Sequence, residues 1–446
     1  MESDDQKEQK NVIECSMSYT LIDKNGKQVA NGECKGTVSK EYLTILPSFG
    51  DILPFHLREI DQVEAHDYRI TLPMASKEKL TLFELGQCYE DFARILAELR
   101  NEVILKDLLM NETVRKPDVE MEFVCYDEKG SEKQKDAGRI RLYETGLVII
   151  PQNSQMMRIP YSDITNVSSD QTSVKINTEL GEQFLIDKMG SEFNGFLNEF
   201  TLAYNDLQSK AVSSIKTLLP AIDSFSLRRL AALMREGKAA RRADIDAINP
   251  SLWQQLEKRI AAAGMNESYN FLKSLGRQEK MALGFKRGLI GDLTGEYIWF
   301  LIPVYGAFEK GYGNAMVMEA AETTVAETGG KATYFFKIVD RRDFQNYKAA
   351  ELLDTRTDDL LKTINRCMLD INFRREPIYL PDESLEEADY VRYKTAVKSL
   401  SSLQLLRSLY IGRVEHSTTE QWEEDTMELL KFNVTASEEP AKWKRE

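Results

Sequence analysis

The chain has 446 residues, 42% of them hydrophobic, and 72 Asp and Glu against 58 Lys and Arg leave a net charge of −14. That is apolar material for several buried cores, about three domains of ordinary size, and the acidic balance works against nonspecific binding of nucleic acid or anionic membrane by the protein as a whole. No apolar run approaches the roughly 20 residues that span a bilayer, and Cys15, Cys34, Cys88, Cys125 and Cys367 are scattered without CxxC spacing, which fits reduced thiols in a cytoplasmic protein better than disulfides or a metal site.

Residues 1–10, MESDDQKEQK, read as a short disordered acidic tail. The chain then repeats itself at an offset of 104 residues. Met17, Asp23, Gly26, Leu43, Ile45, Pro47, Ile60, Val63, Gly86, Phe92 and Asn101 return as Met121, Asp127, Gly130, Leu147, Ile149, Pro151, Ile164, Val167, Gly190, Phe196 and Asn205. A period this long predicts two copies of one whole domain, 11–110 and 117–208. Each copy opens on an alternating strand, Met17-Tyr19-Leu21 or Met121-Phe123-Cys125. Asp23–Gly26 and Asp127–Gly130 follow as hairpin turns, since Asp bonds its own backbone and Gly accepts positive φ. Strands are predicted at Tyr42–Pro47, Ile60–Val63, Tyr68–Leu72 and Lys79–Phe83, and at Gly146–Pro151, Ile164–Val167, Thr172–Ile176 and Gln183–Asp187. A helix closes each copy, its stripe Tyr89, Phe92, Leu96, Leu99, Val103 or Phe193, Phe196, Phe200, Ala203, Leu207 facing the sheet as core.

Strands, turn grammar and one terminal amphipathic helix within each copy resemble the pleckstrin-homology (PH) superfamily. The wording GRIRLYETGLVIIPQNSQMMRIPYSDITNV is similar to its GRAM and bacterial PH-like branches, and repeat 1 keeps the frame as KEYLTILP and FHLREIDQV. The resemblance covers about residues 12–208 and implies two tandem PH-like barrels or sandwiches. Such domains serve phosphoinositides, peptides, small GTPases and, in tandem, histones, so the fold does not name the function. Its lipid-binding members carry basic residues on the first hairpin and following strand. In repeat 2 these positions are Lys133, Lys135, Arg139 and Arg141, with Arg139 and Arg141 on one strand face where they can clamp a phosphate. Asp127, Glu128, Glu132 and Asp136 crowd the same loop, and a charge-balanced, solvated hairpin is the alternative.

Residues 209–287 read as a basic helical segment. Within 217–287 there are 13 Lys and Arg against 7 Asp and Glu. Asp223 or Ser226 caps a helix ending near Gly237, and Asn249-Pro250-Ser251 starts another that Gly264 stops. Arg228, Arg229, Arg235, Lys238, Arg241 and Arg242 form a candidate partner patch, the alternative being a solvated face docked on the acidic repeats. Nucleic acid is disfavoured: the segment has no helix-turn-helix signature and no interleaved aromatics. From 288 to 434 an α+β domain is expected. Tyr297–Tyr305, Ala315–Glu322 and Ala332–Asp340 make a three-stranded antiparallel meander, the first strand central because it is apolar on both faces. Gly311, Gly313, Gly329 and Gly330 read as turn glycines, not a phosphate loop. Three helices follow: Asn346–Phe373, one from a Ser384/Glu387 capping box to Tyr410, and Thr419–Phe432. Residues 435–446 read as a polar tail.

No catalytic, metal or cofactor motif accompanies these elements. Of the three histidines, His56 and His66 correspond to Pro160 and Asp170, so the repeats share no histidine-based site; His416 stands alone. The expectation is an α+β multidomain, non-enzymatic adaptor whose activity is binding an unidentified protein or peptide. The alternatives are recognition of an acidic lipid headgroup at an anionic membrane surface through Lys133, Lys135, Arg139 and Arg141, and an acidic chaperone for basic proteins. The oligomeric state and any face shared by the repeats stay open.

Overall fold

A computed structural model describes residues 12–108, 110, 112–152, 156–287, 296–305, 313–322, 332–344, 350–387 and 390–435. The expectations for residues 1–10 and 436–446, and those for Gly311, Gly329 and Gly330, lie outside the described residues. The chain forms two compact units, Met1–Met110 and Asn111–Glu446.

The first unit contains β1 (Ile13–Ile22), β2 (Gln28–Val38), β3 (Tyr42–Pro47), β4 (Leu53–His56), β5 (Glu64–His66), β6 (Arg69–Pro73), β7 (Lys79–Phe83) and α1 (Tyr89–Asp107). Its strands form one antiparallel sheet in the order β4-β3-β2-β1-β7-β6-β5. The β1–β2 turn closes as its residues dictate: Asp23 Oδ1 accepts from the Asn25 and Lys27 amides, 2.9 Å each, and Gly26 takes φ +80°. Leu43, Ile45, Ile70, Leu72, Leu80 and Leu82 of the sheet and Phe92 and Leu96 of α1 are all fully buried in one core.

The second unit begins with the same plan: β8 (Val114–Tyr126), β9 (Glu132–Tyr143), β10 (Gly146–Pro151), β11 (Met157–Pro160), β12 (Ile164–Ser169), β13 (Val174–Thr178) and β14 (Gln183–Asp187), ordered β11-β10-β9-β8-β14-β13-β12. The closing helix α2 (Phe193–Leu218) runs 26 residues against 19 for α1. Its first half plugs the sheet with Phe196, Phe200 and Ala203. The additional turns carry Ala211, Ile215 and Leu218 into the next core, so one rod belongs to two layers. β4 and β11 are strands that the sequence pattern does not announce. In the first unit the strand expected at Ile60–Val63 does not form there: after a 3-10 turn at Leu57–Glu59, Ile60 makes a single bridge to Met74 and the strand begins at Glu64.

Beyond α2 come α3 (Ser224–Leu233), β15 (Ala240–Arg241), α4 (Arg242–Asp246), α5 (Pro250–Ala262), α6 (Asn266–Leu275), β16 (Ala282–Arg287), β17 (Glu296–Val304), β18 (Ala315–Glu322), β19 (Ala332–Lys337), α7 (Arg341–Phe344), α8 (Ala350–Asp370), α9 (Glu376–Tyr379), α10 (Val391–Ser399), α11 (Ser401–Leu409), β20 (Tyr410–Glu415) and α12 (Thr419–Thr435). The expected three-stranded meander is the centre of a six-stranded antiparallel sheet, β15-β16-β17-β18-β19-β20. β17 is covered on both faces as its composition requires. Ile298, Phe300, Ile302 and Val304 join the core of α3, α5, α6 and α12, while Trp299 packs edge-on against Phe373, centroids 5.7 Å apart. The single helix expected from Ser384 to Tyr410 is a 3-10 turn (Ser384–Glu386), then α10 and α11, broken where Leu400 turns extended at φ −89°, ψ 106°. Ser384 makes no side-chain cap, and Tyr410 begins β20. Among the described residues no helix is long and apolar enough to cross a membrane.

Candidate functional site

Arg139 and Arg141 do share one face of β9, and Asp118 of β8 occupies the space between them. Its Oδ2 lies 3.1 Å from Arg139 and its Oδ1 2.5 Å from Arg141 Nε. Lys133 pairs with Glu182 at 3.3 Å. Lys135 is exposed, and among the described residues no ion pair engages it. A phosphate at this hairpin must displace carboxylates already in place. The same device stands at the same offset in repeat 1, where Lys35 pairs with Glu14.

The six basic residues of the helical segment do not form one patch. Arg228 and Arg229 lie on the exposed side of α3, Arg228 donating to the Ser224 carbonyl and Arg229 covering the Phe225 ring at 5.4 Å. Arg235 donates to Tyr204 Oη at 2.7 Å. Arg241 pairs with Asp244 and Asp358. Arg242 pairs with Asp246 and covers the Trp253 ring. Lys238 is buried, donating to the Ser162 carbonyl at 3.2 Å and to Glu179. Four of the six therefore work inside the fold.

Lys238 leads into a charge network that joins repeat 2 to the third sheet. Arg158, on edge strand β11, pairs with Glu112 at 2.7 Å and donates to the carbonyls of Leu369 (2.9 Å) and Asp370 (3.2 Å) at the end of α8. Arg366 of α8 answers with Asp163 (2.6 Å), Asp370 (3.0 Å) and the Arg158 carbonyl (2.8 Å). Ser162 donates to Glu236, which sits at φ +53° with Lys286 3.6 Å away. Burial pushes the Asp163 and Glu236 carboxyls up. Burial opposes the charge of Arg366 as well, but Asp370, Asp163 and Glu182 outweigh it and raise its pKa. Removing water from so many charges is offset only because nearly every one is paired and hydrogen-bonded.

A cavity of ≈ 100 Å³ lies between α6, β18 and the start of α12. Its floor is Glu319, 1% exposed. The carboxylate accepts from Ser268 and Thr333, 2.9 Å each, and His416 Nε2 lies 3.4 Å away with its ring stacked on Trp422. The hydroxyls spend their protons on Glu319, so the cluster closes on itself. Its signal in the sequence is Glu319 inside the apolar run AMVMEAA, and His416 is 97 positions further along. Among the described residues no group of His, Cys, Asp or Glu has the arrangement of a metal site.

The first unit offers a different surface. The connection between β3 and β4 carries Phe49, 96% exposed, and Ile52, 60% exposed, on either side of Gly50 and Asp51. Gly50 takes φ +117°, a conformation that lets the loop project. Tyr68 is 76% exposed beside Tyr89, centroids 5.3 Å apart. Asp67, Tyr68 and Glu90 add to burial in holding the Tyr89 hydroxyl above its usual range. Both edges of this sheet are guarded, β4 by Pro54 and β5 by its length of three residues. In repeat 2 the position matching Ile52 is Met156, which is buried.

No family model matches the chain, and no curated protein matches it. Among solved structures it is similar to a chain from the structure of the Spt16D Pob3N heterodimer. The match has 17% identity, covers 38% of this chain and 84% of that chain, and has a TM-score of 0.15.

Proposed function

We propose that this chain is a non-enzymatic, protein-binding adaptor built on tandem PH-like modules, with Met1–Met110 as the module that takes the partner. The observation that carries this reading is the exposed pair Phe49 and Ile52 on a projecting loop. Two large apolar side chains left in water within four residues of one loop, one of them 96% exposed, have the character of contact anchors. The unit around them holds 20 Asp and Glu against 13 Lys and Arg, so the complementary partner surface is basic with an apolar recess. A membrane is the poorer match, because an anionic bilayer repels an acidic module and three of the four cations of the repeat 2 hairpin, Lys133, Arg139 and Arg141, are held by Asp118 and Glu182.

The test uses the full chain as bait against native lysate, beside a Phe49→Asp, Ile52→Asp double variant of unchanged circular dichroism. A stoichiometric protein held by the wild type and lost at least about tenfold by the variant supports the reading. Equal retention by both, or binding only to anionic vesicles, overturns it. Release of the partner within a few hundred millimolar salt identifies the contact as charge-dominated and favours the chaperone variant of the proposal.

A further inference from the structure

Cys15 and Cys88 are 73 positions apart and belong to different elements of the first unit, yet they meet. The Cys15 thiol, 5% exposed on β1, donates toward the Leu85 carbonyl at 3.7 Å. The Cys88 amide donates to that same carbonyl at 3.2 Å. Cys88 ends the 3-10 turn Gly86–Cys88 that leads into α1, so the Cys15 thiol and the Cys88 backbone converge on one carbonyl oxygen. Both cysteines are free, Cys15 buried and Cys88 partly exposed. The pair is private to repeat 1. The matching positions of repeat 2 are Val119 and Glu192, and Glu192 pairs with Lys116 at 2.9 Å. The two copies thus fasten the start of the closing helix differently, with an ion pair in one and with two cysteines meeting at the Leu85 carbonyl in the other.

We propose that Cys15 and Cys88 are a modification site, closed to an intramolecular disulfide by a peroxide and tying β1 to the first turn of α1. Cys88, the more accessible thiol, attacks one peroxide oxygen as its thiolate. The O–O bond breaks, the departing hydroxide takes a proton to leave as water, and Cys88 becomes a sulfenic acid. Cys15 then attacks the Cys88 sulfur, the S–O bond breaks, and the second oxygen leaves as water with the Cys15 proton. Two thiols and one peroxide give one disulfide and two waters. Burial, with the neighbouring thiol adding to it, pushes the Cys15 thiol up to about 12, which disfavours Cys15 as the first nucleophile and leaves that role to the more accessible Cys88.

The experiment treats dilute full-length protein with hydrogen peroxide, blocks free thiols with N-ethylmaleimide in denaturant, and maps a non-reducing digest by mass spectrometry. The expected product is a monomer in which the Cys15 and Cys88 peptides are joined, lighter by two hydrogens and opened by dithiothreitol. Cys88→Ser, a mild change at a partly exposed position, abolishes the linked peptide, whereas Cys34→Ser leaves it. A rise in the thermal midpoint of the oxidised wild type, absent from Cys88→Ser, shows that the staple acts on the fold. Recovery of Cys15 alkylated while Cys88 is a sulfinic or sulfonic acid overturns the proposal, as does a Cys88 linkage to another cysteine. So does full alkylation of both thiols after peroxide has already oxidised exposed methionines.

Discussion

Residues 54–61 and 158–165 occupy the same place in two copies of one domain, and they do opposite things. In repeat 1 this stretch closes on its own helix. Arg58 pairs with Asp107 at 3.2 Å, and Arg100 donates to the carbonyls of Ile60 and Asp61. In repeat 2 the stretch reaches outward: Arg158, Ser162 and Asp163 bond to α8, Glu236 and Arg366. The residues in repeat 1 at those three places are Pro54, Arg58 and Glu59. The core positions are shared and the edge residues are not. A duplicated domain becomes a structural partner by changing a few polar residues at one sheet edge, while a copy that satisfies that edge internally keeps its loops available.

The sharpest way to break this comparison is to remove one cation from each side. Arg366→Met leaves Asp163 and Asp370 buried without their cation, and unfolding in urea is expected to show a loss of about 3–5 kcal/mol. Hydrogen exchange should accelerate in β11 and α8. Arg58→Met removes a cation that lies nearer solvent than Arg366, its side chain 20% exposed against 9%, with an expected loss of about 1–3 kcal/mol and faster exchange confined to α1 and residues 57–61. If Arg366→Met costs under about 1 kcal/mol, the outward network is decoration and the contrast between the copies collapses.

A second prediction concerns sign. Glu236 has a raised carboxyl pKa because burial outweighs Lys286 and Ser162. The folded state therefore holds its proton to higher pH than the unfolded chain does, and this group's contribution to stability falls as pH rises from the ordinary carboxylate range through the folded value. Asp23 in the repeat 1 turn is the reverse case: hydrogen bonds from the Lys27 and Asn25 amides lower its pKa, so its contribution is present above the ordinary value and lost as pH falls. Glu236→Gln should gain on the wild type as pH rises above the ordinary carboxylate range, by up to about 1.4 kcal/mol for each pH unit between the unfolded and folded values. Asp23→Asn should gain on the wild type as pH falls. If Glu236→Gln instead loses ground with rising pH, Lys286 governs the site and the burial argument is wrong.

The repeat was legible because the positions that recur are those that touch: Leu43 and Leu147, Ile45 and Ile149, and Phe92 and Phe196 are all fully buried. The outer strands of the third sheet were not. Ala282–Arg287 carries too few residues to show a period, and Tyr410–Glu415 continues the apolar spacing of the helix before it, so neither declares itself without its neighbour in the sheet. The network joining repeat 2 to α8 was hidden for another reason. Arg158 and Arg366 are 208 positions apart, and an isolated arginine in a sequence looks like any surface charge. The available signal was the failure of the repeat at 54/158, 58/162 and 59/163, where conserved spacing and changed chemistry coincide. Phe49 and Ile52 carry no mark in the sequence that separates them from core apolars; their exposure does.

The smallest effect tests the hairpins, where the copies agree. Lys35–Glu14 and Arg139–Asp118 are one ion pair at equivalent positions, but side-chain exposure is 53% and 46% in the first and 34% and 14% in the second. An exposed pair gains little, because water and salt screen it and two long side chains must be held still. Lys35→Ala is therefore expected to change stability by less than about 0.5 kcal/mol. Arg139→Ala should cost somewhat more, up to about 1 kcal/mol, because Asp118 is better shielded, yet Arg141 still satisfies it. If the hairpin is a charge-balanced structural turn, neither change alters retention on anionic vesicles, and Arg139→Ala combined with Arg141→Ala lowers stability without lowering lipid binding. If the double variant instead removes measurable vesicle binding while the fold persists, a lipid phosphate has been outcompeting Asp118, and repeat 2 would be a ligand-binding copy as well as a structural one.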